Sequence, residues 1–328
     1  MPDLASFSEA VQMPASYHPS LGDLRSGRLV VNAMGLPTPD SGNFAVVYQT
    51  EYSGKRHALR CFIRPASDQG ERFAHISAYL KRYPCRYFVD FEFHPQGLKV
   101  AGQWQPLMVM EWRDGVPLER HIKSLLGDAD RLLQLAGKWV EMFDYLRGLD
   151  LAHGDIHPDN VIVHDDQLYL IDYDAVYIPS LQGKNIQEAG QRNFQHPERN
   201  SSHYGPYMDN FPSWIVYYTL ILLSIEPDLW DRYQGGDQKL IFTADDYREP
   251  DKSRLLNELI QSKNPIFQLI AQNIRAMLKR KLEDVPALSE NLVRAGALPL
   301  PPQAPSDWWK DHRPTSEGAG VPSWLKKR

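Results

Sequence analysis

The sequence predicts an α+β fold of two lobes: a small antiparallel β-sheet lobe with one helix, then a larger, mainly helical lobe. Residues 29–112 carry short aromatic and β-branched runs broken by turn residues, the pattern of strands and hairpins. After Gly115 the apolar residues recur every three or four positions, the helical period. The change of period falls near 110–116, where a hinge with a cleft beside it is expected.

Taken in order, residues 1–28 contain Pro2, Pro14 and Pro19 and predict a short helix and an extended lead-in. Phe44–Gln49 and His57–Arg64 read as strands joined by a turn at Ser53-Gly54-Lys55. Phe73, Ile76, Tyr79 and Leu80 place one apolar face on a helix over Glu71–Arg82. Two more strands are expected at Phe88–Phe93 and Pro106–Trp112. In the second lobe, 113–295, Leu132, Leu135, Trp139, Met142, Phe143, Leu146 and Leu149 line one face of a long amphipathic helix. Val161–Val163 and Leu168–Ile171 form a hairpin across His164-Asp165-Asp166-Gln167. Helices follow at about 209–225, 253–262 and 264–282. Residues 296–328 turn Pro-rich around Trp308, Trp309 and Trp324 and read as an irregular tail that packs back on the domain or binds a partner.

Composition narrows the function classes. At 328 residues the chain forms one large domain or two ordinary ones. Its 42% apolar and 23% charged residues suit a globular protein with a real core. A net charge of −5 argues against a basic nucleic-acid surface. Two cysteines, Cys61 and Cys85, exclude a disulfide framework and a four-thiolate zinc site and suit the reducing cytoplasm. The start, Met1-Pro2-Asp3-Leu4, has no basic n-region and no apolar core, so no signal peptide is expected. The longest mostly apolar run, Trp214–Ile225, is twelve residues. A bilayer span needs about 20, so this run is expected to be a buried helix.

The chemistry concentrates in His153-Gly154-Asp155-Ile156-His157-Pro158-Asp159-Asn160, followed by Ile171-Asp172-Tyr173-Asp174. A carboxylate and an amide oxygen on neighbouring loops suit Mg²⁺, which takes oxygen ligands and keeps several waters. A second carboxylate can orient or deprotonate a hydroxyl.

This arrangement resembles the protein-kinase fold, with its H-R-D-x-x-x-x-N catalytic loop and D-F-G metal loop. The resemblance implies Asp155 as catalytic base, Asn160 and Asp172 as ligands of Mg²⁺ (or Mn²⁺), and His153 as the structural histidine. Upstream, Asp40-Ser41-Gly42-Asn43-Phe44-Ala45-Val46-Val47 is similar to the kinase glycine-rich loop. It implies that Ser41, Gly42, Asn43, Phe44, Ala45 and Val47 cover the ATP phosphates. Ala58-Leu59-Arg60 stands where kinases carry A-x-K, thirteen residues after Val47. Arg60 would then contact the phosphates and Glu71 would pair with it. Met108–Gly115 resembles the hinge, with Met110 as gatekeeper and the backbone of Glu111 and Trp112 meeting adenine. Downstream, His196-Pro197-Glu198 is similar to A-P-E, and Asp209 opens an apolar helix and would brace the catalytic loop.

Four positions depart from the pattern. Arg60 replaces the lysine, which keeps the charge but changes its shape and opens a pseudokinase reading. His157 stands where Ser/Thr kinases have a lysine, and His-Gly-Asp-x-His-Pro is also similar to the aminoglycoside and choline kinases. Gly154 replaces the arginine that gathers a phosphorylated activation loop, so activity independent of loop phosphorylation is expected. Asp174 replaces the glycine of D-F-G. The resemblance thus implies an ATP- and Mg²⁺-dependent transferase acting on a Ser/Thr hydroxyl of a protein, whose identity it does not name. The alternatives are a nucleotide-binding pseudokinase scaffold, a small-molecule kinase or an AMP transferase.

Overall fold

The computed structural model describes residues 2–41, 45–63, 68–185 and 190–295. The chain divides into two units, Met1–Asp114 and Gly115–Arg328. The division lies two residues beyond the expected boundary at 112. The expected tail, 296–328, lies outside the described residues, as do Gly42, Asn43 and Phe44 of the glycine-rich stretch.

The first unit runs α1 (Leu4–Val11), β1 (Arg28–Leu29), β2 (Asp40–Ser41), β3 (Ala45–Tyr52), β4 (Lys55–Phe62), α2 (Gln69–Arg82), β5 (Phe91–Val100) and β6 (Gln103–Glu111). Its sheet has the order β1-β3-β4-β6-β5, with β2 also on β3, and each of these pairs is antiparallel. The β3–β4 hairpin closes at Tyr52↔Lys55. Its two turn residues, Ser53 and Gly54, both have positive φ, 50° and 72°. That is the backbone a two-residue hairpin requires.

Register sorts the side chains onto two faces. Val46, Tyr48, Leu59, Cys61, Leu107 and Val109 form one buried face, and α1 covers it with Phe7, Ala10 and Val11. The N-terminal segment is therefore part of the core of this unit. The other face carries Val47, Arg60 and Met108 in one row and Gln49, Ala58 and Met110 in the next. Phe62, Phe91 and Phe93 lie on that face, and Phe73 of α2 packs on them, its ring 5.2 Å from that of Phe93.

The third expected strand, Phe88–Phe93, begins later and runs longer, as β5. Pro95 interrupts it without ending it, because the register shifts between His94 and Leu98. A bulge there leaves the proline without a ladder bond to make.

The second unit begins with β7 (Val116–Pro117), α3 (Leu118–Ser124), α4 (Ala129–Gly148), β8 (Val161–His164) and β9 (Gln167–Leu170). It continues through α5 (Asn210–Ile225), α6 (Leu229–Arg232), α7 (Ala244–Arg248), α8 (Arg254–Gln261), α9 (Pro265–Leu278) and α10 (Glu290–Ala295). The three strands form a small antiparallel sheet ordered β7-β8-β9. Helix α4 buries Leu132, Leu135, Trp139, Met142, Phe143 and Leu146. The Trp139 indole donates to the Ser213 carbonyl of α5 at 2.9 Å. Helix α5 is buried from Phe211 through Leu223. Among the described residues no helix is long and apolar enough to cross a membrane. Helix α9 ends at Leu278, short of the expected 282, and Leu282 starts a separate 3-10 turn. The α+β architecture and element order agree with the bilobal, kinase-like fold expected from the motifs.

Candidate active site

In the second unit the loop 153–160 follows α4 and is held at both ends. Ala152 bridges Tyr177 through paired backbone bonds of 3.2 and 2.8 Å. Asp209, just before α5, accepts from the backbone N–H groups of His153 at 2.5 Å and Gly154 at 2.8 Å. Its carboxyl is fully buried, and burial raises its pKa against the pull of His153 and of those two N–H groups. Asp209 thus braces the backbone at the start of the 153–160 loop. His153 is completely buried, with Nε2 2.9 Å from the Ile171 carbonyl. Gly154 has φ +82°, and a Cβ there would meet the Ala175 carbonyl at 2.4 Å. No side chain fits, which explains why an arginine does not stand here.

Pro158 starts a single 3-10 turn, closed by Asn160 N–H donating to the His157 carbonyl at 3.0 Å. This turn brings Asn160 back onto Asp155. Its Nδ2 donates to the Asp155 carbonyl at 2.9 Å and lies 3.3 Å from Asp155 Oδ2. The Asn160 carbonyl in turn accepts from Ile171 N–H at 3.0 Å. The β8–β9 hairpin therefore returns Asp172 to the neighbourhood of Asn160. Asp172 has φ +66°, a left-handed conformation uncommon outside glycine, asparagine and aspartate. Such backbone persists where the surroundings hold it.

Asp155 faces three groups. Asn160 lies on one oxygen, the Gln191 N–H donates to Oδ1 at 2.9 Å, and His157 Nε2 lies 3.6 Å from Oδ2. Burial pushes the Asp155 carboxyl up, but the contact with His157, with help from Gln191, outweighs it and holds the group below its ordinary value. For His157 burial acts downward, and Asp155, Asp159 and Asp172 together raise it above its ordinary value. The two shifts agree: the structure favours the pair in its charged form.

In the first unit, Arg60 is buried and its guanidinium carbon lies 5.5 Å from the Phe62 ring centre. It shares its sheet face with Val47, Ala58 and Met110. Met110 is buried, whereas Glu111 and Trp112 are half-buried. The N–H of Glu111 donates to Asp90 and that of Trp112 to Arg56, at 3.1 and 2.9 Å. Both donors are thus committed within the sheet, and carbonyl oxygen is what this backbone would offer a base. Glu71 stands in the first turn of α2, its side chain 58% exposed and 3.8 Å from His75. Ser41 pairs with Val46 and Ala45 with Phe62.

Among the described residues no three His, Cys, Asp or Glu side chains gather as a metal cage. A cation here would rest on Asn160 and Asp172, with waters or phosphate oxygens completing its shell, which is the habit of Mg²⁺ rather than Zn²⁺. The donor set, one amide and one carboxylate, fits Mg²⁺.

Three contributors carried no sequence signal. Gln191 acts through its backbone. Gln195 is buried near Asp155. Arg199 is buried against the 153–160 loop, its guanidinium 3.4 Å from the Gly154 carbonyl and 3.0 Å from Met208 sulfur. Burial lowers the Arg199 pKa, and Asp209 chiefly opposes that.

No protein-family model matches the sequence, and no curated protein does. Among solved structures the chain is similar to the Cydia pomonella granulovirus kinase PK-1. The identity is 16%, the TM-score 0.48, and the match covers 79% of this chain and 89% of that one. At that distance the residues of this chain, not the likeness, must carry any reading of its site.

Proposed function

We propose that the chain is an ATP- and Mg²⁺-dependent phosphotransferase of the protein-kinase type that passes the γ-phosphate to a Ser or Thr hydroxyl of a protein. The observation that carries this reading is the Asp155–Asn160 contact, joined through the Asn160–Ile171 backbone bond to Asp172 and braced by Asp209. Asp155 and Asn160 touch on one braced loop, and a backbone bond ties the residue before Asp172 to that loop, an arrangement that suits phosphoryl transfer by positioning and electrostatics.

Asn160 and Asp172 would hold Mg²⁺, which when bound neutralises phosphate charge. Arg60, with the backbone of 41–45 and Val47, would hold the phosphates, and Ala58, Met110 and the carbonyls of Glu111 and Trp112 would meet the adenine. Asp155, kept anionic by its surroundings, orients the acceptor hydroxyl. That oxygen bonds to the γ-phosphorus as the bond to the β-phosphate oxygen breaks, and its proton passes to the Asp155 carboxylate. A depressed pKa makes Asp155 a weak base and a good orienting group.

Arg60 in place of lysine favours a second reading, a pseudokinase that binds nucleotide and signals by shape. Incubation with γ-labelled and α-labelled ATP separates the readings. The kinase transfers γ-label to protein, and Asp155→Asn and Asp172→Asn each reduce transfer by about 10²-fold or more. A pseudokinase transfers neither label. Transfer of α-label would show an AMP transferase instead.

A further inference from the structure

Position 154 can carry no side chain, yet a guanidinium reaches this residue from Arg199. That arginine is 8% exposed and lies between three segments. Its Nη1 donates to the His203 carbonyl, and its Nη2 lies 3.4 Å from the Gly154 carbonyl and 3.0 Å from Met208 sulfur. Asp209, the residue after Met208, accepts from the N–H groups of His153 and Gly154. Gly154 is therefore gripped by opposite charges, its N–H by a carboxylate and its carbonyl by a guanidinium. Asp155 is the next residue in the chain.

The turn that presents Arg199 is fixed from outside the loop. Arg199 N–H donates to the His196 carbonyl at 2.9 Å, Glu198 Oε2 accepts from Leu282 N–H at 3.2 Å, and the Tyr204 hydroxyl donates to the Val176 carbonyl at 2.6 Å. Arginine keeps its charge when buried, and a buried charge is tolerated where it is paired. Asp209, Tyr207 and Asp155 face Arg199, while His153 and Arg199 face Asp209. Burial drives Asp209 toward its protonated form, and His153 and Arg199 oppose that. Protonation would turn one of its oxygens into a hydroxyl, a poorer acceptor, and slacken one of its two N–H bonds.

We propose that Arg199 is a positioning residue for phosphoryl transfer, tying the Asp209 carboxylate and the start of the 153–160 loop into one charged brace that fixes where Asp155 sits. This rests on the phosphotransferase reading above and names a residue of the same site that touches neither nucleotide nor acceptor. The charge of Arg199 matters beyond its hydrogen bonds. It keeps Asp209 ionised at the pH where transfer proceeds, so both N–H bonds persist. Removing the charge while keeping a donor therefore moves the pH at which the brace fails, whereas a role in packing alone would lower activity equally at every pH.

The test compares the full-length wild type with Arg199→Gln, which keeps a donor without the charge, and Arg199→Lys, which keeps the charge. Arg199→Met replaces Gln should that variant fail to fold. Two quantities are followed from pH 5 to 9: kcat and KM for ATP in γ-phosphate transfer to a Ser/Thr peptide library, and amide exchange of the 151–156 segment corrected for its intrinsic pH dependence. In Arg199→Gln the acid limb of kcat is expected to rise by about 1 pH unit or more, with KM for ATP changed less than twofold, and exchange of 151–156 is expected to quicken over the same range. Arg199→Lys is expected to return both toward the wild type. A loss of kcat that is the same at every pH, or equal in Gln and Lys, overturns the role of Arg199 and leaves the phosphotransferase intact. So does exchange that stays at the wild-type rate. A wild type that binds nucleotide yet transfers no phosphate overturns the phosphotransferase reading and Arg199 as its positioning residue, while the exchange still decides whether the brace exists.

Discussion

Asp155 and His157 are two residues apart, face each other at 3.6 Å, and are shifted in opposite directions. Both side chains are less than a fifth exposed, so solvent screens them only in part. His157 is raised above its ordinary 6.5. Its contribution to stability is complete below that value and fades as pH rises through the raised one. Asp155 is lowered from its ordinary 3.8, so its contribution is complete above that value and fades as pH falls through the lowered one. The pair therefore stabilises the fold most between about pH 4 and 6.5. His157→Gln is expected to cost about 1 kcal/mol there and less toward pH 8, measured by urea unfolding across that range. A deficit that grows with pH would contradict the assignment. Asp155, Asn160 and Asp172 could be picked out of the sequence because their spacing is local to one loop and one hairpin. Gln191, Gln195 and Arg199 could not, since tertiary packing rather than spacing delivers them to Asp155 and Gly154.

The elements divide in the same way. Helices α4 and α5 show in the sequence because each buries enough residues to display a period or a continuous apolar run. Helix α1 has only eight residues, and neither its length nor its composition reveals that it roofs the sheet. Yet Phe7 is completely buried in one cluster with Val46, Tyr48, Leu59 and Cys61. Phe7→Ala would open a cavity on the far side of the sheet from Arg60. The expected cost is about 3–5 kcal/mol, read as a lower urea midpoint with an unchanged slope. A cost under about 1 kcal/mol would show that α1 covers the sheet only loosely. The bulge at 94–98 was hidden for a different reason. Pro95 in a run reads as a break, and only the partner strand shows that the ladder resumes at Leu98.

For the whole molecule, the sequence excludes more than it assigns. Two free, buried cysteines and the lack of a three-ligand His/Cys/Asp/Glu cluster among the described residues leave neither unit leaning on a disulfide or a structural metal there. Chelation should then leave the melting temperature of the chain alone unchanged. In the proposed phosphotransferase Mg²⁺ would accompany the nucleotide, held by Asn160 and Asp172, so neither ligand should stabilise as much alone as both do together. Saturation to about a hundred times the dissociation constant adds about 2.7 kcal/mol. In a chain of this size that raises the melting temperature by about 4 °C. Thermal melts with EDTA, Mg²⁺, ATP and Mg²⁺ plus ATP, repeated on Asp172→Asn, test this directly. The large rise is expected only for the wild type with both ligands. An equal rise with ATP in EDTA would show nucleotide held without the cation and would favour the pseudokinase, while a drop in melting temperature on chelation alone would reveal a structural metal that the described residues do not account for.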